Sequence, residues 1–246
     1  MAFSLILIYK IHKPLISVVC GMLFMSASSI STAQQVKTNL YGLAVVKNKQ
    51  QQNAIVAADS MMRMLDLKKT IPGIELDLKY CGTNNFMHQR LYPANLRTTY
   101  LRAPAAYALQ KVQASLVEKG LSLKIWDAYR PYSVTEKMWE PIKDERYAAN
   151  PKFGSGHNRG IAVDLTIISN SSGRELDMGT EFDHFSDTAH SDFNKLPQQI
   201  LQNRALLRGL MEENGFKVLD TEWWHFYLPE SKKFALMDLS FKQLQN

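Results

Sequence analysis

An aspartate interrupts the apolar run Ile161-Ala-Val-Asp164-Leu-Thr-Ile167, where an unpaired carboxylate is costly to bury. Something must neutralise it. Across Gly160, His157 lies in a loop with Gly154 and Gly156, whose small size lets the backbone fold tightly and bring the imidazole beside that acid. A third piece lies far along the chain, in Thr221-Glu-Trp-Trp-His225-Phe-Tyr227, where one glutamate and one histidine sit among aromatic residues. Two imidazoles and one carboxylate, with a fourth position left to water, make the donor set of a catalytic zinc. Zinc lowers the pKa of bound water from ~15.7 to about 7, and the apolar surroundings made by Trp223, Trp224 and Phe226 strengthen that pull.

A hydrolytic centre of this kind also needs a base and a fixed cation. Glu222 is the candidate base. In a regular strand its three-residue offset from His225 would point the two side chains to opposite faces, so Glu222 is expected in a bend just before the strand. Arg130, in the loop that leaves the segment ending at Asp127, is placed to meet negative charge developing on a carbonyl oxygen.

Each residue also has a plainer reading. Asp164 could form a buried ion pair with Arg159, and Arg130, next to Pro131, could cap a strand end. Asp127, Asp177 and Asp183 are all compatible with turns. Glu222-x-x-His225 by itself lacks the second histidine of a helical metalloprotease motif.

The elements that must position these groups are legible in the pattern. Ile74 to Tyr80 alternates apolar and polar residues as a half-buried strand does. Ala103 to Lys119, with Pro104 in its first turn, reads as an amphipathic helix stopped by Gly120. Leu121 to Asp127 alternates again as a strand. A helix around Val134 to Trp139 is expected to break at Pro141. Asn150 to Gly160 is turn-rich and leads into the Asp164 strand. Leu196 to Asn214 reads as a helix closed by Gly215, followed by short strands at Phe216–Leu219 and His225–Leu228. Helices and strands interspersed in this way predict an α+β fold.

The chain has 246 residues, 46% hydrophobic and 21% charged, a globular composition that excludes disorder and fibrous repeats. One domain is expected. Lys10 and Lys13 precede the apolar stretch Pro14–Met25 and the small-residue run Ser26–Ala33, the order of a secretory signal. The apolar stretch is shorter than the roughly 20 residues of a membrane span. Residues 1–33 are therefore read as a signal peptide cut near Ala33, with residues 34–246 as one catalytic domain that begins in a 34–70 extension. The mature chain is placed in the periplasm. Its 27 Lys+Arg against 23 Asp+Glu leave a surplus too mild and scattered for nucleic acid. Lipidation at Cys20 is the weaker alternative. Only Cys81 then remains, so no internal disulfide can form.

Ser155-Gly-His157-Asn-Arg-Gly160-Ile-Ala162-Val-Asp164 resembles the Ser-x-His-x-x-Gly-x-Ala-x-Asp signature of zinc D,D-peptidases. Further segments place the chain close to the D-alanyl-D-alanine dipeptidases: Tyr80 with Asn85-Phe86, Trp126-Asp-Ala-Tyr-Arg130-Pro, Asp177 to Asp183, Asn203 to Phe216 and Glu222-Trp-Trp-His225, in the family's order. The resemblance implies a small, mainly antiparallel sheet flanked by helices and one Zn2+ per chain held by His157, Asp164 and His225. It implies that Glu222 is the base and later the acid, and that Arg130 stabilises the charged transition state. By the same resemblance Ser155, Tyr80 and Asp183 hold the two ends of a small dipeptide. Such a pocket must read both a free amine and a free carboxylate. The expected reaction is hydrolysis of D-Ala-D-Ala in cell-wall metabolism. The alternatives are a D,D-carboxypeptidase or endopeptidase acting on peptidoglycan stems, and a zinc-stabilised binding module without turnover.

Overall fold

A computed structural model of the chain describes Met1 and residues 38–245. The expected signal segment, its cleavage position and Cys20 lie outside the described residues. The chain order is β1 (Val45–Val46), α1 (Lys49–Ala58), β2 (Met64–Asp66), α2 (Leu67–Thr70), β3 (Glu75–Leu76), β4 (Tyr100–Arg102), α3 (Ala103–Val117) and β5 (Leu121–Asp127). It continues with α4 (Tyr132–Ile142), α5 (Gly156–Arg159), β6 (Ala162–Ser169), α6 (Gln198–Glu213), β7 (Lys217–Leu219), β8 (Glu222–Tyr227), β9 (Leu236–Met237) and α7 (Phe241–Gln245).

Five strands form the central sheet in the order β3-β5-β6-β8-β7, antiparallel except for the parallel pair β3–β5. Two small pairs, β1–β9 and β2–β4, stand apart from it. The α+β class expected from the pattern is thus the class observed. Alternation along β6 sends Val163, Leu165 and Ile167 into a core shared with Leu109, Val112 and Leu116 of α3 and Leu207 and Met211 of α6. The intervening Asp164 and Thr166 go to the other face. That face carries the candidate site.

Three local expectations are adjusted. The Ile74–Tyr80 strand is regular only at Glu75–Leu76 before a single 3-10 turn at Lys79–Cys81, although Ile74, Leu78 and Tyr80 keep the buried phase of the alternation. Helix α4 runs through Pro141 and ends against Lys143 at φ 47°. A proline so near the end of a helix costs little, because few turns follow it. The 34–70 extension is more built in than a loose leader. Leu67 is fully buried, and β1 and β2 pair with strands from the rest of the chain.

Candidate active site

Register on three adjacent strands builds the floor of the site. Asp127 on β5 pairs with Asp164 on β6, which pairs with His225 on β8, so the three side chains stand abreast. The β5–β6 ladder shifts between Ile125 and Asp127. This bulge brings Asp127 opposite Asp164 and bends the chain toward the turn that carries Arg130.

His157 arrives from α5, a single turn capped by Ser155. The Ser155 Oγ accepts the Asn158 N–H at 3.2 Å, while Asn158 Oδ1 accepts the Ser155 N–H at 3.0 Å, a reciprocal cap. Two glycines seat this turn. A Cβ on Gly156 would meet the Ala162 Cβ at 2.8 Å, and Gly160 reverses the chain into β6 at φ 70°.

The donor atoms converge. His157, Asp164 and His225 each offer a ligand atom, all within 4.8 Å of one another. The Asp164 Oδ1 lies 2.8 Å from His225 Nδ1, and its Oδ2 lies 3.4 Å from His157 Nε2. The fit to a metal can be tested on the hydrogen bonds. His157 Nδ1 is 2.7 Å from the Ala128 carbonyl oxygen, which can only accept, so Nδ1 carries the proton and Nε2 keeps its lone pair facing the other two donors. Two nitrogens and a carboxylate oxygen around one point suit a zinc-like ion.

Glu222 is the first residue of β8 rather than part of a bend before it. The β7–β8 pairing jumps from Val218↔Phe226 to Leu219↔Glu222, and this irregularity breaks the strict alternation that would separate Glu222 from His225. Glu222 Oε2 consequently lies 3.9 Å from His225 Nδ1, and both line the same cavity. That cavity, about 270 Å³, also holds Tyr80, Arg130, Ser155, His157, Asp164 and Asp183. Its volume is just below the usual range of small-molecule sites, roughly 300–1,000 Å³.

Arg130 is buried and bound to Asp127, with Nε and Nη2 donating to Oδ2 at 3.0 and 2.8 Å, and its Nη2 stands 4.0 Å from Asp164. Asp127 therefore belongs to the site, not to an idle turn. The signal for it was present: an acid in the sequence Asp127-Ala-Tyr-Arg130, three residues from the cation. Arg159 does not reach Asp164; it donates to the carbonyls of Phe234 and Phe153 at 2.6 and 3.4 Å.

Asp183 sits at φ 59°, in the left-handed region that few non-glycine residues occupy, a strain that concentrates at functional sites. Its Oδ1 accepts from the Tyr80 hydroxyl at 3.5 Å and its Oδ2 from the Phe86 N–H at 3.3 Å. No arginine or lysine pairs with it among the described residues.

Burial and crowding set the protonation. Burial, together with the charges of Asp164 and Glu222, pushes Asp183 up to about 8 despite the Phe86 N–H. Burial raises Glu222 as well, against the opposing pull of His225. For Asp164 burial acts the same way, but the charges and hydrogen bonds of His157 and His225 prevail and hold it well below the usual carboxylate range.

A model of the Peptidase M15 family, described as D-ala-D-ala dipeptidase, matches residues 60–245. The chain belongs to this family. It is 34% identical over 174 residues to a D-alanyl-D-alanine dipeptidase of Escherichia coli (strain K12), covering 71% of this chain and 89% of the relative. A D-alanyl-D-alanine dipeptidase of Streptomyces coelicolor is 32% identical, over 65% and 88% of the two chains. One of Enterococcus faecium is 27% identical, over 66% and 89%. All eight residues singled out from the sequence lie inside the span that matches the Peptidase M15 family.

The protonation of Asp183 has a measurable consequence for this M15 chain. In the ligand-free fold the carboxyl keeps its proton up to about 8, whereas the unfolded chain releases it near about 4. Between those values the folded state binds more protons, so ligand-free stability falls as pH rises. Asp183→Asn is expected to stabilise the metal-free, substrate-free protein at pH 8 by about 1–3 kcal/mol and to have no such effect at pH 4. Thermal unfolding at the two pH values checks it; an equal shift at both would remove the assignment.

Proposed function

We propose that the protein is an exported zinc dipeptidase that hydrolyses free D-Ala-D-Ala to two D-alanines, with the ion held by His157, Asp164 and His225. The observation that carries this reading is the charge balance of the cavity. Arg130 is committed to Asp127 and approaches Asp164 only to 4.0 Å, which leaves Asp164, Glu222 and Asp183 as three carboxyl groups without a close fixed cation of their own. A divalent ion offsets two of these charges and an ammonium beside Asp183 the third, while the substrate's own carboxylate, common to free and acylated peptides, is left to Ser155. A free dipeptide brings that ammonium; an N-acylated stem peptide does not.

When bound, zinc supplies Lewis-acid polarisation of the scissile carbonyl and a lowered pKa for water. The chain's own groups do the rest. Glu222 takes one proton from the attacking water and returns it to the departing nitrogen, and its burial brings its pKa nearer to the working pH. Arg130, rigidly paired and buried, meets the negative charge that develops on the carbonyl oxygen. Asp183, steadied by Tyr80 and Phe86, receives the substrate ammonium and gives up its own proton as it does so. Ser155 accepts a cap bond through its oxygen, which leaves its O–H free to donate to the substrate carboxylate. The second proton of the water leaves the new carboxyl group for the new amine or for solvent, and the products are two D-alanines.

The reading places residues 34–246 in the periplasm as a single catalytic domain after loss of residues 1–33, where recovery of wall-derived D-alanine is the role that fits. Among the described residues no helix is long and apolar enough to cross a membrane.

Purified protein offered D-Ala-D-Ala and N-acetyl-D-Ala-D-Ala tests the proposal. The free dipeptide is expected to be cleaved at least roughly 100-fold more efficiently, the value of losing one buried charge pair. Comparable rates would replace it with a D,D-carboxypeptidase.

A further inference from the structure

Asp127 is buried and accepts four hydrogen bonds. Its Oδ2 holds both Arg130 bonds, while its Oδ1 accepts the Ala128 N–H at 2.9 Å and the Tyr92 hydroxyl at 2.8 Å. Tyr92 comes from the loop before β4, is 3% exposed, and makes its one side-chain hydrogen bond here. Its ring is held from both sides, by Tyr80 at 5.6 Å and by Phe241 of α7 at 4.9 Å between centroids. Phe241 also packs on Tyr129 at 5.9 Å, and the Tyr129 hydroxyl is tied to the backbone of Leu239. The turn from Asp127 to Arg130 is thus clamped from beneath by the C-terminal segment and by one phenol.

We infer that Tyr92 is a positioning residue for the reaction: its hydroxyl fixes the Asp127 carboxylate, and through it the direction of the Arg130 guanidinium. Asp127 stands apart from the substrate, since it is fully buried behind Arg130. An arginine with one carboxylate partner can swing about that partner. Locking the second oxygen of the carboxylate with two further donors removes this freedom and keeps the guanidinium aimed at the position where charge appears. The same dipeptide unit also serves the metal side, because the Ala128 carbonyl holds His157 Nδ1 at 2.7 Å. One rigid turn therefore sets the spacing between the proposed ligand and the proposed cation.

The inference rests on the proposed role of Arg130, and its test separates the two. Tyr92→Phe keeps the ring and its packing and removes only the hydroxyl. It is expected to lower kcat for D-Ala-D-Ala roughly 10-fold to 100-fold with KM unchanged, as misplacement of a transition-state group does. Affinity for a phosphinate analogue of the tetrahedral state should fall by the same factor, whereas affinity for an uncleaved dipeptide analogue should hold. Independently of turnover, the 15N-resolved Nε–H signal of Arg130 should shift and exchange at least roughly tenfold faster with solvent. A kcat loss with a parallel rise in KM and loss of ground-state affinity would reduce Tyr92 to a packing residue. An unchanged Arg130 signal would overturn the inference while leaving the dipeptidase reading intact. The converse result, an altered signal in a protein that does not cleave D-Ala-D-Ala, would leave the positioning role standing and remove the proposed function.

Discussion

Glu222→Gln is expected to lower kcat for D-Ala-D-Ala by roughly 10²-fold to 10⁴-fold, the contribution of a positioned general base, while the protein keeps its metal. The glutamine fills the same space and can keep a hydrogen bond, but it cannot take a proton. Glu222 lies near His225 without being one of the three converging donors, its nearest approach being 3.9 Å to Nδ1. Metal content by elemental analysis and single-turnover kinetics on the same sample separate the two properties. Loss of metal in this variant would make Glu222 a ligand. Unchanged turnover would take the role of base away from Glu222, and absence of turnover in the unmodified chain would return the protein to the class of zinc-stabilised binding modules, for which a base beside the ion has no use.

Replacing His157 or His225 with alanine should release the metal itself. A Lewis-acid contribution of several kcal/mol, at tenfold in rate for each 1.4 kcal/mol or so, makes roughly 10³-fold the smallest loss of activity expected. Stability should fall too. An ion present at 100 times its dissociation constant adds about 2.7 kcal/mol to the folded state, and removing a ligand forfeits it. His157 adds a second cost, since it is buried and its ring bonds the Ala128 carbonyl. No disulfide stands in reserve among the described residues, where Cys81 is a free thiol. A chelator added to the unmodified chain should lower Tm in the same direction, and Tm of the histidine variants should no longer respond to it.

Much of this arrangement could be read before any coordinates. Asp164 betrayed itself by its place in an apolar strand, and the glycines around His157 announced a tight turn. The rest depended on features that side-chain alternation does not encode. The Glu222–His225 approach needs the break in β7–β8 pairing, and a period-2 argument is blind to irregular register. Asp127 shows its spacing to Arg130 in the sequence, but an acid at a strand end is also what a turn contains, and the ladder that sets it beside Asp164 decides between the two. Ser155 was read as a substrate contact, and its work as the cap of a single helical turn depends on Asn158 folding back upon it. Tyr92 sits in a stretch without periodicity, and its partner Asp127 is distant in sequence. The shortened Ile74–Tyr80 strand shows a related limit: alternation reports which side chains are buried, not whether the backbone between them pairs.

The central claim is that His157, Asp164 and His225 share one ion. X-ray absorption at the zinc edge, on full-length protein loaded to saturation, addresses it most directly. One zinc per chain is expected, with an inner shell of two imidazole nitrogens and carboxylate or water oxygens at about 2.0–2.2 Å and no sulfur, and His225→Ala is expected to lose that zinc. A shell containing sulfur at about 2.3 Å, or a spectrum indifferent to that substitution, would place the ion elsewhere and contradict the account.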